Sequence, residues 1–388
     1  MNSTAGFQTG AFISFTFVLV MRTRGSIWGS GGNGTMPPLP PPQSTPWSLR
    51  FMPRLLLIFM LVLGFQGACA TPEFQATPIT LTDQVSVGEV YQGIRLLGAL
   101  RLNDVERNGL RLCGLSGLAW DEDAGLLYAI SDQGNLFHLR PEFDANDALS
   151  GARLVAAYPL RDVRDQPLRS PWTDAEGLAI LNGDNGKPDD TELLISFEGK
   201  PRVVRYSPAG LWKGEKRLPA PLRDLRNYRH PNEALEAVTV DPRWGVLTGT
   251  ETPLRHDPDG QIRLFQMNGR FWRYPLSSAP NSALVAMEAL PDGSLLTLER
   301  AFVAPLRPLI ISLRRVMLPA VDRAEPLSVA DVAVFNSSQG WLLDNFEGLT
   351  RYRGQRFFMV SDDNCKFWQA TLLVEFALLP DRPAPAAP

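Results

Sequence analysis

Histidine and cysteine are nearly missing from this chain, with three of each in 388 residues. His138, His230 and His256 show no spacing that two ligands of a zinc site would share. There is no G-x-S-x-G nucleophile elbow; Gly114-Leu115-Ser116-Gly117 resembles it only loosely. No glycine-rich phosphate cradle occurs, and no long stretch keeps a helical period. A basic stripe is lacking too. The first 70 residues hold four Arg and no acid, so the rest carries 34 basic against 41 acidic groups, a net of −7. A nucleic-acid binder would show the opposite balance.

Long apolar runs are scarce as well. Leu55 to Phe65 (LLLIFMLVLGF) is too short to span a bilayer comfortably. Arg50 and Arg54 precede it and Ala68-Cys69-Ala70 follows, the order of a secretory signal peptide with an A-x-A cleavage site. Residues 1–51 then read as an over-extended gene start or disordered leader, 52–70 as the signal, 71–84 as a linker and 381–388 as a disordered tail. Cleavage after Ala70 is expected, with lipidation at Cys69 or a retained anchor as alternatives. A periplasmic or secreted protein with no stable membrane span follows.

What the chain does contain is turn residues and short apolar runs. Gly and Pro number 32 and 33, which favours many short strands. One unit recurs five times. An acidic or small residue precedes Gly or Ala and an aliphatic, and after a turn comes a second apolar run ending in an acid. The copies run Ser116-Gly117-Leu118 to Asp132, Glu176-Gly177-Leu178 to Glu198, and Glu236-Ala237-Val238 to Glu251. The last two run Glu288-Ala289-Leu290 to Glu299 and Glu347-Gly348-Leu349 to Asp362. Starts about 50 to 60 residues apart match a propeller-blade period. With an unmatched strand region at Val85–Leu102, the pattern predicts an all-β propeller over 85–380, with six blades, or five as the fallback.

The first strand of a hairpin opens where the second ends. Glu176, Glu236, Glu288 and Glu347 are therefore expected at one channel mouth, beside Asp132, Glu198, Glu251, Glu299, Asp362 and Asp363. Converging carboxylates repel and raise one another's pKa. Oxygen-only ligands in such number suit Ca²⁺, or Mg²⁺, rather than zinc. The plain alternative is solvated turn residues and caps. Lys200, Arg300 and Lys366 near the acidic ends, with Arg202, Arg255 and Arg351, are candidates to hold a phosphate or simply to pair with the acids. His230 is a candidate general acid. In a propeller both chain ends share a blade, so Cys113 and Cys365 would meet at ring closure as a disulfide; two buried free thiols are the alternative.

At D-x-E-G-L (Asp174, Glu176, Gly177, Leu178), D-N-F-E-G-L (Asp344 to Leu349) and S-D-D-N (Ser361 to Asn364) the chain resembles the bacterial esterase-like-activity-of-phytase family. The resemblance covers about residues 85–380. It implies phosphoester hydrolysis, with Glu176, Glu236, Glu347, Asp362 and Asp363 as functional acids. Ser116, where the other copies have Glu, departs from the pattern. The reading is an exported, monomeric, metal-dependent phosphoester hydrolase acting on a small phosphoester or other anionic ligand, with Glu176, Glu236 and Glu347 catalytic. Two rivals stand beside it: a non-catalytic binding propeller with a structural cation, and a carboxylic-ester hydrolase that the missing nucleophile motif disfavours.

Overall fold

Apolar runs of five to eleven residues, cut by Gly, Pro, Asn and Asp turns, are too short for packed helices and can bury themselves only as strands. In the computed structural model, which describes residues 73–319 and 326–380, consecutive runs pair antiparallel in fours. The first blade comprises Leu115–Asp121, Leu126–Ser131, Asn135–Phe143 and Leu149–Pro159. The second comprises Ala175–Leu181, Glu192–Phe197, Arg202–Tyr206 and Trp212–Lys216. Leu235–Asp241, Gly245–Thr250, Gln261–Gln266 and Phe271–Pro275 make the third. Ser282–Ala289, Ser294–Ala301, Ile310–Met317 and Val329–Asn336 make the fourth.

The fifth blade closes the ring. Its inner strands Asn345–Arg351, Arg356–Asp362 and Thr371–Leu378 come from the end of the chain, and Ile94–Leu102 from the start pairs on the outside. The propeller thus has five blades. The flank 85–102, which has no partner unit in the sequence and suggests a sixth blade, instead supplies the outer strand of the last one. The stretch 71–84, expected to be a linker, adds Ala76–Pro78 along the edge of Ile94–Leu102. The leader, the signal segment with Cys69, and the tail lie outside the described residues. No helix among the described residues is long and apolar enough to cross a membrane.

Apolar side chains fill the seams between blades. Leu118, Ala129 and Phe137 of the first blade pack with Phe358, Val360 and Leu373 of the fifth. Each such buried Leu, Val or Phe contributes about 1.5–3 kcal/mol. Around the channel the innermost strands touch through backbone. A Cβ on Gly177 would lie 2.4 Å from the carbonyl oxygen of Glu236, and one on Gly117 2.7 Å from that of Glu176. This is why Gly or Ala follows each ring position. Cys113, just ahead of the first blade, is bonded to Cys365, just after the second strand of the fifth, across 252 residues with Cα atoms 5.0 Å apart.

Candidate functional site

Every innermost strand carries a bulge at its start. Pairing slips between Leu115 and Gly117, Ala175 and Leu178, Leu235 and Ala237, Leu284 and Ala286, and Phe346 and Gly348. A bulge re-aims the extra side chain. The bulged residues are Ser116, Glu176, Glu236, Val285 and Glu347, and the three glutamates are buried. The residues just past the facing ends of the second strands are Asp132, Glu198 and Glu251, with Asp362 in the same place at the end of its own strand. The expected gathering of first-strand and second-strand acids at one mouth is present in three blades, and the first blade, with Ser116 in the ring, adds only Asp132.

The fourth blade departs in two ways. Leu284 pairs with Glu299, so Val285 holds the ring place and Arg300 the place of the strand-end acid. Glu288, pairing with Leu296, lies three residues further along and lines a pocket of about 550 Å³ with Arg351 at the other mouth. Burial pushes its carboxyl up to about 8, against the pull of Arg351. Glu299, expected as a metal ligand, faces the seam with the third blade. It accepts from Arg314 Nη1 and Ser282 Oγ at 2.7 Å each, from Ser277 N at 2.8 Å, and from Tyr274 Oη. A carboxylate with those donors has no need of an ion.

Arg300 is the centre's own cation. Its Nη2 donates to Glu251 Oε1 at 2.7 Å and its Nη1 to Glu347 Oε1 at 3.3 Å and to Asn345 Oδ1. Burial lowers its pKa, but Glu347, Glu251 and Glu236 outweigh that and raise it. Asn345 Nδ2 also donates to Glu347 Oε1 at 2.7 Å and to Asp362 Oδ2 at 3.4 Å. The side chain of Arg300 opens, with Glu251, onto a side pocket of about 580 Å³ between the third and fourth blades.

Glu198 is the hinge of the remaining acids. Carboxylate oxygens of Asp174, Glu176 and Glu198 lie within 4.8 Å of one another, as do those of Glu198, Glu236 and Glu251. Glu198 Oε1 accepts from Ala234 N at 2.8 Å, and Asp174 Oδ2 from Gly199 N at 2.9 Å. Among the described residues, the carboxylates of Glu176 and Glu236 accept no hydrogen bond, although the Glu236 backbone carbonyl accepts from Ser196 Oγ at 3.2 Å. Burial first, then neighbouring carboxylates, push Glu176 and Glu236 well above the usual carboxylate range. Glu347 is raised the same way, chiefly by burial and then by Asp362, despite Arg300. Burial lifts Glu198 to about 8 and Asp362 to about 7, and it also raises Asp132, Asp174 and Glu251.

Other candidates hold the frame. Asp363 accepts from Gly114 N at 2.8 Å, Cys365 N at 3.0 Å and Thr371 Oγ1 at 3.0 Å, tying the fifth blade to the first. Asp344 accepts from Ala370 N at 2.7 Å and Gln369 Nε2 at 3.0 Å. Cys113 and Cys365 stand near Asp363, but as a disulfide they offer no thiolate to a metal. Lys200 and Lys366 are exposed in loops at the acidic mouth, with Lys366 5.8 Å from the Trp368 ring. His230 is exposed. Arg202 lies 3.6 Å over Phe197, and Arg255 donates to the carbonyls of Arg226 and Tyr228. Arg351 is at the other mouth.

One spacing in the sequence points to the ring position of the fourth blade. From 236 to 251, 347 to 362 and 285 to 300 the separation is 15 residues, whereas from 288 to 299 it is 11. Ala286 supplies the small residue that every ring position needs after it, but Ala289 does the same after Glu288, so that feature does not separate the two registers.

The propeller is similar to solved ones at low identity. The β-propeller domain of Cps50 (Swd1) from Myceliophteria thermophila matches at 12% identity and a TM-score of 0.33, over 79% of this chain and 100% of that one. XC5397 of Xanthomonas campestris, described as a gluconolactonase important in glucose secondary metabolic pathways, matches at 12% and 0.38, over 80% and 99%. No curated protein matches this chain. The family described as phytase-like, esterase-like activity of phytase, matches residues 111–365, which takes in all five ring positions and the D-x-E-G-L, D-N-F-E-G-L and S-D-D-N segments. This chain belongs to that phytase-like family.

Proposed function

We propose that the chain is an exported hydrolase of phosphoesters whose acidic mouth works with a divalent cation, Ca²⁺ by the chemistry of its donors. The observation that carries this reading is the pair Glu176 and Glu236. Both are buried carboxylates that accept no hydrogen bond among the described residues, and both lie beside Glu198. Such groups need protons or a cation. The donor set is all oxygen, from Asp174, Glu176, Glu198, Glu236 and Glu251, which fits a hard ion. When bound, the cation would neutralise phosphate charge and make a water more acidic.

The chain's own residues do the rest. Arg300, held between Glu251 and Glu347 and open to the side pocket, pairs with a phosphate oxygen. Glu347, gripped by Asn345 and Arg300 and raised in pKa by burial, takes the proton of the attacking water. The side pocket beside Arg300 takes the organic part of the substrate. The Cys113–Cys365 bridge supports export, since such bonds persist in oxidising compartments.

The test is hydrolysis of a generic phosphodiester and monoester by purified protein, with calcium and with EDTA. Calcium-dependent turnover abolished by Glu347→Gln supports the reading; turnover that survives EDTA refutes the cation's role. A binding propeller with a structural cation is favoured by one observation, the gap of only about 10 Å³ between the innermost strands. Calcium stabilisation with no turnover on either ester would select it.

A further inference from the structure

Large apolar side chains stand in water along one sector of the acidic mouth. Three loops build that sector. Residues 302–309 follow the second strand of the fourth blade, 337–344 lead into the innermost strand of the fifth, and 363–370 follow its second strand. They are fastened together. Ser337 N donates to Leu309 O at 3.0 Å and Leu309 N to Ser337 Oγ at 2.9 Å, while Asp344 accepts from Gln369 and Ala370.

Phe302, Val303, Leu306, Leu342, Phe367 and Trp368 are exposed on these loops, with Leu306 at 105% and Phe367 at 90%. Singly exposed apolar residues are ordinary, but six on three joined loops are not. Charge sharpens the picture. The exposed charged side chains of the three loops are Arg307 and Lys366. Their carboxylates, Asp344 and Asp363, are turned onto backbone N–H donors. The sector therefore offers aromatic and aliphatic tips with two cations and no exposed anion.

That combination suits the interface of an anionic bilayer. Apolar tips enter the acyl boundary, Trp lies at headgroup depth, and Lys and Arg meet phosphates. We propose that this sector docks the protein peripherally on membranes that contain anionic phospholipid. Phe302 lines the same pocket as Arg300 and Glu251, so docking brings the side pocket to the lipid surface. The proposal stands whether or not the acidic centre is catalytic.

The test is co-sedimentation of the purified protein with vesicles of phosphatidylcholine, and of phosphatidylcholine mixed with phosphatidylglycerol. Binding to the mixed vesicles, weakening with salt, is expected. Phe367→Ser with Trp368→Ser should weaken it by roughly tenfold or more, from the lost apolar burial. Arg307→Glu with Lys366→Glu should remove the preference for phosphatidylglycerol. Leu211→Ser, on the outer hairpin of the second blade, should change nothing. Leu306→Ser serves as a second apolar variant if the aromatic pair alters the melting temperature. Absence of binding to the mixed vesicles, or equal binding by the variants, overturns the proposal. So does a vesicle-free dimer in sedimentation velocity that the aromatic substitutions dissolve.

Discussion

Replacing Arg300 by Gln removes the cation that, among the described residues, is paired with both Glu251 and Glu347, and leaves an amide able to hydrogen-bond. Glu251 at 2.7 Å and Glu347 at 3.3 Å lose their partner. Breaking a buried ion pair from one side costs about 3–5 kcal/mol. With 23% of the Arg300 side chain open to solvent, the lower end, about 3 kcal/mol, applies. A domain of about 300 residues has an unfolding entropy of about 0.6 kcal/mol/K, so the melting temperature should fall by about 5 °C at pH 8. The sign with pH follows from linkage. Loss of the guanidinium raises the carboxyl pKa values further, so the stability deficit is small where the carboxyls are protonated and grows as pH rises through those values. At pH 5 the deficit should shrink to about 1–2 °C. Differential scanning calorimetry of both proteins in EDTA, at pH 5 and pH 8, reads this directly. An equal loss at the two pH values would mean that Arg300 acts only by filling space, and the electrostatic account would be wrong.

Three further outcomes follow from the same geometry. In EDTA the wild-type melting temperature should fall between about pH 4 and pH 8, because Asp362 and Glu198 titrate near 7 and 8 when folded and near 4 when unfolded; calcium at a hundredfold over its Kd should restore about 2.7 kcal/mol at pH 8 and little at pH 5, and a pH-independent calcium shift would contradict this. Cys113→Ser with Cys365→Ser opens a 252-residue loop, worth about 5 kcal/mol by chain entropy, so urea denaturation should show a lower midpoint; an unchanged midpoint would show that the blade closes without it. Glu288→Gln should raise stability at pH 9, above a folded carboxyl pKa held near 8, and by only about 1 kcal/mol at pH 5, just above the unfolded value. The same variant should keep the full calcium-dependent melting shift, whose loss would place Glu288 at the wrong mouth.

The repeats make the propeller and most of its acidic mouth legible in the sequence alone. Strand pairing within a hairpin is local, so the positions of Glu236 and Glu251 follow from a turn and a count of residues. Two things are not legible that way. In the fourth unit Glu288-Ala289-Leu290 imitates the Glu-small-aliphatic phrase, while the register is fixed by packing of Leu284 and Met287 with the third blade's Leu264 and Trp272. A phrase of three residues is too weak to outweigh a core. The blade count escapes for a different reason, because the partner of Ile94–Leu102 is about 280 residues away in Thr371–Leu378, and no local pattern reports a pairing over that distance. Asp362 and Asp363 show a third limit. Adjacent residues of a strand end point to opposite sides, so one acid joins the centre and the other binds Gly114 and Thr371.

The closing blade also sets when the site can exist. Glu347 and Asp362 lie on strands whose outer neighbours are the last strand of the domain and one of the first. A nascent chain stopped short of Thr371–Leu378 holds Glu176 and Glu236 but has no closed ring to crowd them together. If the acidic mouth binds calcium as proposed, its affinity is then a measure of ring closure, and any truncation upstream of residue 371 should abolish it as a step rather than weaken it in proportion.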